Sequence, residues 1–366
     1  MKVVIAPDSF KGTATAVEAA EALAAGWRSV RPSDHLVLRP MADGGEGTLA
    51  AVGAGGELIE VANCVGPDGR SVTGRYALLP DGTAVVELAT VSGLPLLDRL
   101  APLTATSRGT GEVVAAALDR GARRLVIGLG GSASTDGGAG LLAALGLRLL
   151  DASGRRLPDG GAALADAARV DRSALRPPPP GGVLLLTDVT NPLLGPDGAA
   201  AVYGPQKGAT PADVTRLDMA LRRLAALLGG DPDQPGAGAA GGTGYGLHAA
   251  WGARVTPGAA AVADLLGLSA AVADADLVIT GEGRFDATSH RGKAVGEVLQ
   301  RAAHTRTTVV AGAATLPALT LTALAGSAAE ALARPLHWLR LAGATLARQD
   351  RCLPGVARPR RSPAPS

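Results

Sequence analysis

The chain has 366 residues, of which 47% are hydrophobic and only 2% are aromatic, and its formal net charge is +2. This length suits two domains of ordinary size, with cores built from Ala, Val and Leu. A nearly neutral chain without a basic face that carries aromatic side chains gives little support to nucleic-acid binding.

Cysteine usage and the first residues indicate a cytoplasmic protein. Cys64 and Cys352 are far apart, so a disulfide framework is not expected. Lys2 and Asp8 at the start of the chain speak against a signal peptide. Residues 307–329 carry no charge, but they contain a proline, two glycines and several hydroxyl side chains. This composition favours a buried strand plus a loop over a transmembrane helix, and we expect no membrane association.

Predicted strands and helices alternate along the chain. Short apolar runs that end in Asp, Gly or Ser are typical of buried parallel strands, and they occupy residues 2–9, 35–45, 123–132, 182–191, 275–283 and 307–314. Ala-rich stretches with helical character lie at residues 14–30, 110–121, 211–228, 258–273, 292–304 and 327–348. This alternation predicts an α/β fold.

Residues 57–90 have a different pattern. Strand-like runs are separated there by the turn sequences "GPDG" and "PDG", which predicts a β-meander. The change of pattern also predicts a domain boundary near residue 60.

Polar residues follow the predicted strands. Ligands bind at the carboxyl ends of strands in open parallel sheets. A single acid or serine at such a position is often only a helix cap or a turn residue, but stability alone does not require acids at every strand exit. The set therefore predicts a ligand site, and it comprises Asp8, Ser9, Asp43, Glu46, Ser132, Asp136, Asp188, Asn191, Glu282 and Asp286.

The sequence "GLGGSASTDGGAG" at residues 128–140 has six glycines and follows a predicted strand. Successive backbone N–H groups in such a loop can cradle an anion. Gly128, Gly130 and Ala133 also match a dinucleotide fingerprint, with Asp151 about 20 residues further on. An NAD-dependent dehydrogenase is therefore an alternative, although "DGG" at residues 136–138 interrupts the helix that this fingerprint requires.

Two further segments combine glycine with carboxylates. "MADGGEGT" at residues 41–48 places Asp43 and Glu46 in a tight turn that suits Mg²⁺, directly or through water. "TGEGRFDATSHRGK" at residues 280–293 contains two acids, and His290 within it is a minor candidate for a substrate contact.

Lysine is rare, since only four of the 35 basic residues are lysines. Lys11, Lys207 and Lys293 all lie in glycine-flanked polar segments. The compact ammonium of lysine suits a phosphate oxygen where the planar fork of arginine does not fit. The residues alone therefore predict an α/β enzyme that handles phosphate and uses acids for Mg²⁺ or proton transfer.

The stretches "APDSFKG", "MADGGEGT", "TSRGTGE", "GLGGSASTDGGAG", "DVTNPLLGPDGAAAVYGPQKGA" and "DLVITGEGRFDATSHRGK" together resemble the bacterial glycerate kinase family that is related to the glycerate 2-kinases. The resemblance covers residues 1 to about 314. It implies a Rossmann-like parallel-sheet domain formed by both chain ends, at residues 1–60 and 277–348, and an inserted α/β domain with a β-meander at residues 61–276. We expect residues 349–366 to be a disordered tail.

The resemblance also implies transfer of the γ-phosphoryl group of ATP to D-glycerate, with Mg²⁺, at a cleft between the two domains. 2-Phosphoglycerate is the favoured product. The alternatives are a glycerate 3-kinase, a kinase of a related small hydroxy acid, the dehydrogenase above and a non-catalytic ligand sensor. We expect glycerate and ATP as the small-molecule partners, and a monomer or homodimer.

Within this resemblance, Asp188 is the predicted base for the attacking hydroxyl, with Asp8 as the alternative. Lys11 and Lys293 are predicted to contact the transferring phosphoryl group or the substrate carboxylate. The predicted substrate-binding residues are Ser9, Ser107, Asn191 and Arg291. The predicted nucleotide-binding residues are Gly128, Gly130, Gly131, Ser132, Gly137, Gly138 and Lys207. Asp43, Glu46 and Asp136 are candidate Mg²⁺ ligands, and Glu282 and Asp286 are further cleft residues.

Overall fold

A computed structural model describes residues 1–290 and 293–351. Its strands are β1 (Lys2–Pro7), β2 (His35–Leu38), β3 (Glu57–Val65), β4 (Ser71–Leu78), β5 (Thr83–Glu87), β6 (Arg124–Gly128), β7 (Arg148–Leu150), β8 (Arg169–Asp171), β9 (Val183–Leu186), β10 (Arg254–Thr256), β11 (Leu277–Phe285), β12 (Thr307–Ala314) and β13 (Leu319–Thr320).

Helices lie between these strands. They are α1 (Ala16–Val30), α2 (Thr48–Gly53), α3 (Ala89–Ser92), α4 (Arg108–Asp119), α5 (Ala139–Ala144), α6 (Ala199–Tyr203), α7 (Pro211–Leu228), α8 (Ala239–Trp251), α9 (Gly258–Leu265), α10 (Leu268–Ala273), α11 (Ala294–Arg301), α12 (Leu321–Ala325), α13 (Ala328–Ala333) and α14 (Pro335–Arg351). The predicted α/β class is thus confirmed. The two longest predicted helices near the carboxyl end are each divided, at Gly267 and at Pro335.

The contacts divide the described chain into two units. Unit 1 contains residues 1–40, 270–288 and 301–351, and unit 2 contains residues 41–269, 289–290 and 293–300. Residues 41–60, which the sequence places with the first domain, belong to unit 2 because α2 packs on β4 and β5, and β3 pairs with β4. At the other end, α14 continues to Arg351, so helix extends past the predicted start of the tail at residue 349, and residues 352–366 lie outside the described range.

Unit 1 is built on a parallel sheet with the strand order β13-β12-β11-β1-β2. Helices α1 and α14 cross so closely that a side chain at either contact glycine would collide with backbone. A Cβ on Gly26 would lie 1.8 Å from the carbonyl oxygen of Arg340, and one on Gly343 would lie 2.1 Å from that of Leu23. The glycines therefore allow the two helices to cover the sheet.

Unit 2 contains a six-stranded sheet with the order β10-β9-β6-β5-β4-β3. Strands β10, β9, β6 and β5 are parallel, and β4 and β3 continue the sheet in antiparallel pairing. The predicted β-meander is confirmed, and it is continuous with the parallel strands. Alternate side chains of β5 and β6 enter two different cores: Val85 and Val126 face α2 and α9, whereas Val86 and Ile127 face the core that includes α4, α5, α7 and α8.

The uncharged stretch from residue 307 forms β12, β13 and the short helix α12. Across residues 1–290 and 293–351, no helix combines the length and the apolar character needed to cross a bilayer.

Candidate active site

Three strand ends of unit 2 lie side by side, and two of them lead into segments with predicted site residues. Glu87, Gly128 and Leu186 are neighbours in register across β5, β6 and β9. Asp188 follows β9 by two residues, and the glycine-rich loop follows β6. Parallel pairing places their carboxyl ends at one edge of the sheet, and this is the edge at which ligands of parallel sheets bind.

The 41–48 loop lies against these strand ends. A Cβ on Gly44 would lie 2.7 Å from the Leu186 Cβ, and a Cβ on Gly130 would lie 2.6 Å from the Gly45 Cα. Gly258, the first residue of α9, is equally close, because its Cβ would lie 1.8 Å from the Asp43 carbonyl oxygen. The predicted carboxylate loop and the predicted phosphate loop are therefore in direct backbone contact.

Glu87 is a site residue that sequence reasoning missed. It is buried, and its carboxylate accepts hydrogen bonds from the N–H groups of Gly47 at 3.2 Å and Leu49 at 2.9 Å. Burial raises the pKa of Glu87 above its usual range, and the charge of Glu46 adds to this effect. Glu87 thus fixes the start of α2 and the end of the 41–48 loop. The sequence feature that could have identified Glu87 is its place as an acid at the end of the apolar run "TAVVE".

Asp43 and Asp188 are the two carboxylates that the strand ends bring near each other. Oδ1 of Asp43 accepts a hydrogen bond from the N–H of Gly45 at 3.2 Å, and Oδ1 of Asp188 accepts one from the N–H of Gly258 at 3.1 Å. Asp188 remains accessible to solvent. Desolvation by the surrounding protein raises the pKa of Asp188 above the usual range, and repulsion from Asp43 raises it further. Glu46, in the same loop, is exposed.

Asp136 is fully buried and organises the glycine-rich loop. Its carboxylate accepts five hydrogen bonds: from the N–H and Oγ of Ser107 at 2.9 and 2.8 Å, from Oγ of Ser134 at 2.9 Å, and from the N–H groups of Gly138 and Gly140 at 3.2 Å each. Both oxygens are occupied, so this geometry favours a positioning role for Asp136 over the predicted ligation of Mg²⁺. Ser107 is also fully buried, and its N–H and hydroxyl are both bonded to Asp136. These contacts do not favour the predicted contact of Ser107 with the substrate.

Lys207 is hydrogen-bonded to the glycine-rich loop. Its side chain is buried, and its ammonium donates to Oγ of Ser132 at 2.9 Å and to the carbonyl oxygen of Ser134 at 2.5 Å. Burial lowers the pKa of Lys207 to about 8, although the charge of Asp136 opposes this shift. An ammonium forms three hydrogen bonds when it is fully paired, so one donor remains for a further acceptor.

A cavity of about 120 Å³ adjoins Lys207. Its walls combine backbone of the glycine-rich loop with apolar side chains and a few polar groups, among them Gly130, Gly131, Ser132, Tyr203, Gln206 and Lys207. Ala240, which also lines it, has a left-handed backbone (φ 51°, ψ 44°) that costs a non-glycine residue about 1–2 kcal/mol. Such strain concentrates at functional sites.

The predicted nucleotide glycines have specific backbone requirements. Gly131, Gly137 and Gly138 have φ values of 73°, 62° and 74°, in the region that favours glycine. The N–H of Gly137 donates to the carbonyl oxygen of Gly241 at 3.0 Å, so the "AAGG" turn at the start of α8 supports the loop. Helix α5 begins only at Ala139, eleven residues after Gly128. A dinucleotide fold requires the helix directly after the fingerprint glycines, so the structure does not support the dehydrogenase alternative.

In unit 1, Asp8, Ser9 and Lys11 follow β1. Oδ1 of Asp8 accepts a hydrogen bond from the N–H of Ser9 at 2.6 Å, whereas the Lys11 side chain is exposed. Strand β11 passes beside this turn, since a Cβ on Gly283 would lie 3.4 Å from the Lys11 nitrogen. Unit 1 therefore brings this turn together with the carboxyl-terminal half of β11.

Two predicted acids of unit 1 differ in their positions. Glu282 lies inside β11 and is nearly buried, because the strand continues to Phe285 rather than ending near residue 283. Asp286 follows the strand and accepts hydrogen bonds from the N–H and Oγ1 of Thr288 at 2.9 and 2.7 Å.

The remaining predicted residues lie in unit 2 or outside the described residues. The carbonyl oxygen of Lys293 accepts a hydrogen bond from the N–H of Glu297 at 3.1 Å, which places this lysine at the start of α11. Oδ1 of Asn191 accepts from the Tyr203 hydroxyl at 2.7 Å, and its Nδ2 donates to the Asp197 carbonyl oxygen at 2.8 Å. Arg291 lies outside the described residues.

Within the described part of the chain, no three His, Cys, Asp or Glu side chains stand close enough together to hold a metal ion by themselves. This does not exclude Mg²⁺, which keeps several waters and is usually bound by one or two carboxylates together with substrate phosphates. Asp43 with Asp188 or Glu46 fits that requirement.

Comparisons with known proteins give one consistent result. The sequence profile of the glycerate kinase family matches residues 3–337. A glycerate kinase of Bacillus subtilis (strain 168) is 47% identical over 304 residues, which are 80% of this chain and 79% of that protein. A glycerate 2-kinase of Escherichia coli (strain K12) is 45% identical over 303 residues, with 80% of each chain covered. A crystal structure from Salmonella typhimurium LT2, described as a glycerate kinase 2, aligns with a TM-score of 0.83 at 40% identity and covers 96% of this chain and 98% of that chain.

Proposed function

The chain belongs to the glycerate kinase family and is a phosphotransferase, and we propose that it transfers the γ-phosphoryl group of ATP, with Mg²⁺, to glycerate to form 2-phosphoglycerate. The observation that carries this proposal is the contact between two loops of unit 2. The Asp43 loop and the glycine-rich loop meet at the strand ends that also present Asp188.

The nucleotide site of this proposal is the glycine-rich loop with its cavity. Gly130 and Gly131 line the cavity, where their backbone N–H groups can bind phosphate oxygens, and the Lys207 ammonium has one donor left. The N–H groups of Gly137 and Gly138 are bonded to Gly241 and Asp136, so these two glycines shape the loop. The buried Asp136 network keeps the loop in one shape before the nucleotide binds. Preorganised donors stabilise a phosphoryl transition state without having to reorient during the reaction.

Asp43 would hold Mg²⁺ in this proposal, and Glu46 would act through water. When bound, Mg²⁺ would supply positive charge that offsets the charge of the nucleotide phosphates. Glu87 supports this arrangement, because its hydrogen bonds to the N–H groups of Gly47 and Leu49 fix the loop that carries both acids.

Asp188 is the base of this proposal. The glycerate 2-hydroxyl oxygen forms a bond to the γ-phosphorus, the bond between that phosphorus and the β,γ-bridging oxygen breaks, and ADP leaves. The hydroxyl proton passes to Asp188, whose carboxylate is accessible and held by the N–H of Gly258. In this proposal Lys11 and Lys293 supply positive charge to the phosphoryl group or to the glycerate carboxylate. The substrate is positioned by Ser9, Asn191 and Arg291. Asp8 is the alternative base.

A coupled assay tests the reaction. The purified chain should release ADP from ATP only when both D-glycerate and Mg²⁺ are present. Equal ADP release with and without glycerate would contradict the kinase assignment. The product is then identified by ³¹P NMR, in which a phosphorus coupled to one proton indicates the 2-phosphate and coupling to two protons indicates the 3-phosphate.

A further inference from the structure

A second cavity of unit 2 is lined by three arginines and has no part in the proposed reaction. It has a volume of about 70 Å³ and lies between the start of α4, helix α5 and the β7–β8 hairpin. Its basic lining residues are Arg108, Arg148 and Arg156, and the one acidic lining residue is Asp159. A pocket with this charge pattern favours an anion.

Arg108 and Asp159 neutralise each other. The Arg108 guanidinium donates two hydrogen bonds to the Asp159 carboxylate, from Nε at 2.5 Å and from Nη2 at 2.7 Å. Such a bidentate pair is strong and neutralises the charge of Arg108, so this guanidinium adds no net positive charge for an anion. The remaining two arginines therefore determine what the cavity can bind.

Arg148 is incompletely paired. Its Nε is buried and has no hydrogen-bond partner, and its Nη1 lies 3.5 Å from Oδ2 of Asp171, beyond the usual range of a direct N–H···O bond. A buried donor without a partner is unfavourable, so an acceptor that bonds to it would be stabilised there.

Arg156 supplies the second positive charge. It has no ion pair among residues 1–290 and 293–351, and its backbone forms a bridge to Leu150. The next residue, Leu157, donates its N–H to the carbonyl oxygen of Leu149 at 3.0 Å. These backbone contacts hold Arg156 beside Arg148 on a fixed edge of the hairpin, while the arginine side chain stays available.

We propose that this cavity is a phosphate-binding site, in which the guanidinium groups of Arg148 and Arg156 hold the dianion of inorganic phosphate or of a small phosphate monoester. Arginine forks match phosphate oxygens bidentately. With Asp159 and Asp171 set against the three arginines, the site retains one net positive charge. The volume accommodates a few water molecules, which suits one phosphate group and is too small for a nucleotide.

Isothermal titration of the full chain tests the site. The protein is first saturated with a non-hydrolysable ATP analogue, Mg²⁺ and glycerate, so that the proposed active site is occupied, and is then titrated with inorganic phosphate and, separately, with glycerol 3-phosphate. We expect binding of at least one probe, weakened about tenfold or more in both Arg148→Lys and Arg156→Ala, because each removes a charge-assisted fork. Similar affinity for both probes identifies free phosphate as a sufficient ligand, and a marked preference for glycerol 3-phosphate identifies a monoester site.

The matched control is Arg169→Ala, which removes an exposed arginine of the same hairpin outside the cavity lining. It should leave phosphate affinity unchanged, and ADP release should be unchanged in all three variants. The proposal is overturned if neither probe binds the wild type, or if the Arg148→Lys/Arg156→Ala double variant binds as the wild type does. Because the readout is phosphate affinity and not turnover, failure of the kinase proposal would leave this result interpretable.

Discussion

Lysine is rare in this chain, and the structure gives the three glycine-flanked lysines different surroundings. Lys207 is buried under the glycine-rich loop, Lys293 is half-buried at the start of α11, and Lys11 is exposed beside the end of β1. A buried ammonium positions backbone, whereas an exposed one is available to a ligand. The same residue type is thus expected to perform two different tasks.

Lys207 should make the free energy of unfolding depend on pH in the alkaline range. Its pKa falls from 10.5 to about 8 on folding, so between those values the unfolded chain binds a proton that the folded chain lacks. Stability therefore rises with pH in this window, by up to about 1.4 kcal/mol per unit. Urea unfolding of the wild type and Lys207→Met at pH 7 to 10 measures this. Above pH 8, the free energy of unfolding should rise with pH in the wild type more than in the variant. A constant difference would contradict the burial argument, and Lys11→Met serves as the exposed control.

Lys11 should matter for rate and not for folding. Lys11→Met removes the charge at similar length and should lower kcat by about 10²-fold or more, the scale of one lost electrostatic contact to a transition state. Lys11→Arg keeps the charge but changes its shape, and should also lose much of the rate. Because the side chain is exposed, both Tm values should match the wild type. Near-native kcat in both variants would remove Lys11 from the proposed machinery.

Asp188 should be the most sensitive carboxylate of the site. Asp188→Asn keeps the shape of the side chain but cannot accept the hydroxyl proton, and we expect a loss in kcat of about 10²–10⁴-fold. Asp197→Asn changes an exposed acid in the same loop region and should be nearly silent. Steady-state kinetics of the two variants with ATP and glycerate provide the comparison. Equal activity of both variants would transfer the role of base to Asp8.

At the scale of elements, the site depends on two loops that touch through glycine. The 41–48 loop is held on one side by Glu87 and contacts Gly130 on the other. The glycine-rich loop is in turn held by hydrogen bonds to the carboxylate of Asp136, which is part of the loop, and to the ammonium of Lys207, which is not. The position of each loop therefore depends on buried charged side chains, which are Glu87 for the 41–48 loop and Asp136 and Lys207 for the glycine-rich loop.

Gly130→Ala should separate the two loops. The added Cβ would lie 2.6 Å from the Gly45 Cα, which only a backbone shift can relieve. We expect a loss of about 1–3 kcal/mol in the free energy of unfolding, typical of overpacking, and a higher KM for ATP. Gly53→Ala is the matched control, because its Cβ would meet the Ala77 Cβ at an ordinary 4.0 Å. Unfolding curves and ATP titrations of both variants decide, and a neutral Gly130→Ala would show that the loops need not touch.

At the scale of the whole molecule, nucleotide binding should stabilise the folded chain. A ligand present at 100 times its dissociation constant adds about 2.7 kcal/mol to the free energy of unfolding. We expect MgATP to raise Tm in a concentration-dependent manner, ATP with EDTA to raise it less, and NAD⁺ to leave it unchanged. Thermal melts with each ligand measure these shifts. A shift with NAD⁺ as large as that with MgATP would restore the dinucleotide alternative.

Local sequence by itself determined the parallel strands, several of the helices and the class of the fold. The helix predicted at residues 211–228 has the same bounds in the structure, since Thr210 and Asp213 form a capping box and Gly229 follows its last residue. The apolar runs that end in polar residues became parallel strands, as expected. These features could be predicted because propensity, capping and periodicity act within short windows of sequence.

Only the tertiary structure decided which strand ends are neighbours and which polar groups face inward. Asp136 was predicted to bind metal, but it is satisfied by Ser107, 29 residues away, and Lys207 binds Ser132 across 75 residues. Glu87 acquired its role only because β5 pairs with β6 beside the 41–48 loop. Residues 41–60 joined unit 2 through the pairing of β3 with β4 and the packing of α2. Periodicity reports which face of an element is buried, whereas strand order and the partners of a buried polar group depend on contacts distant in sequence, which no local pattern specifies.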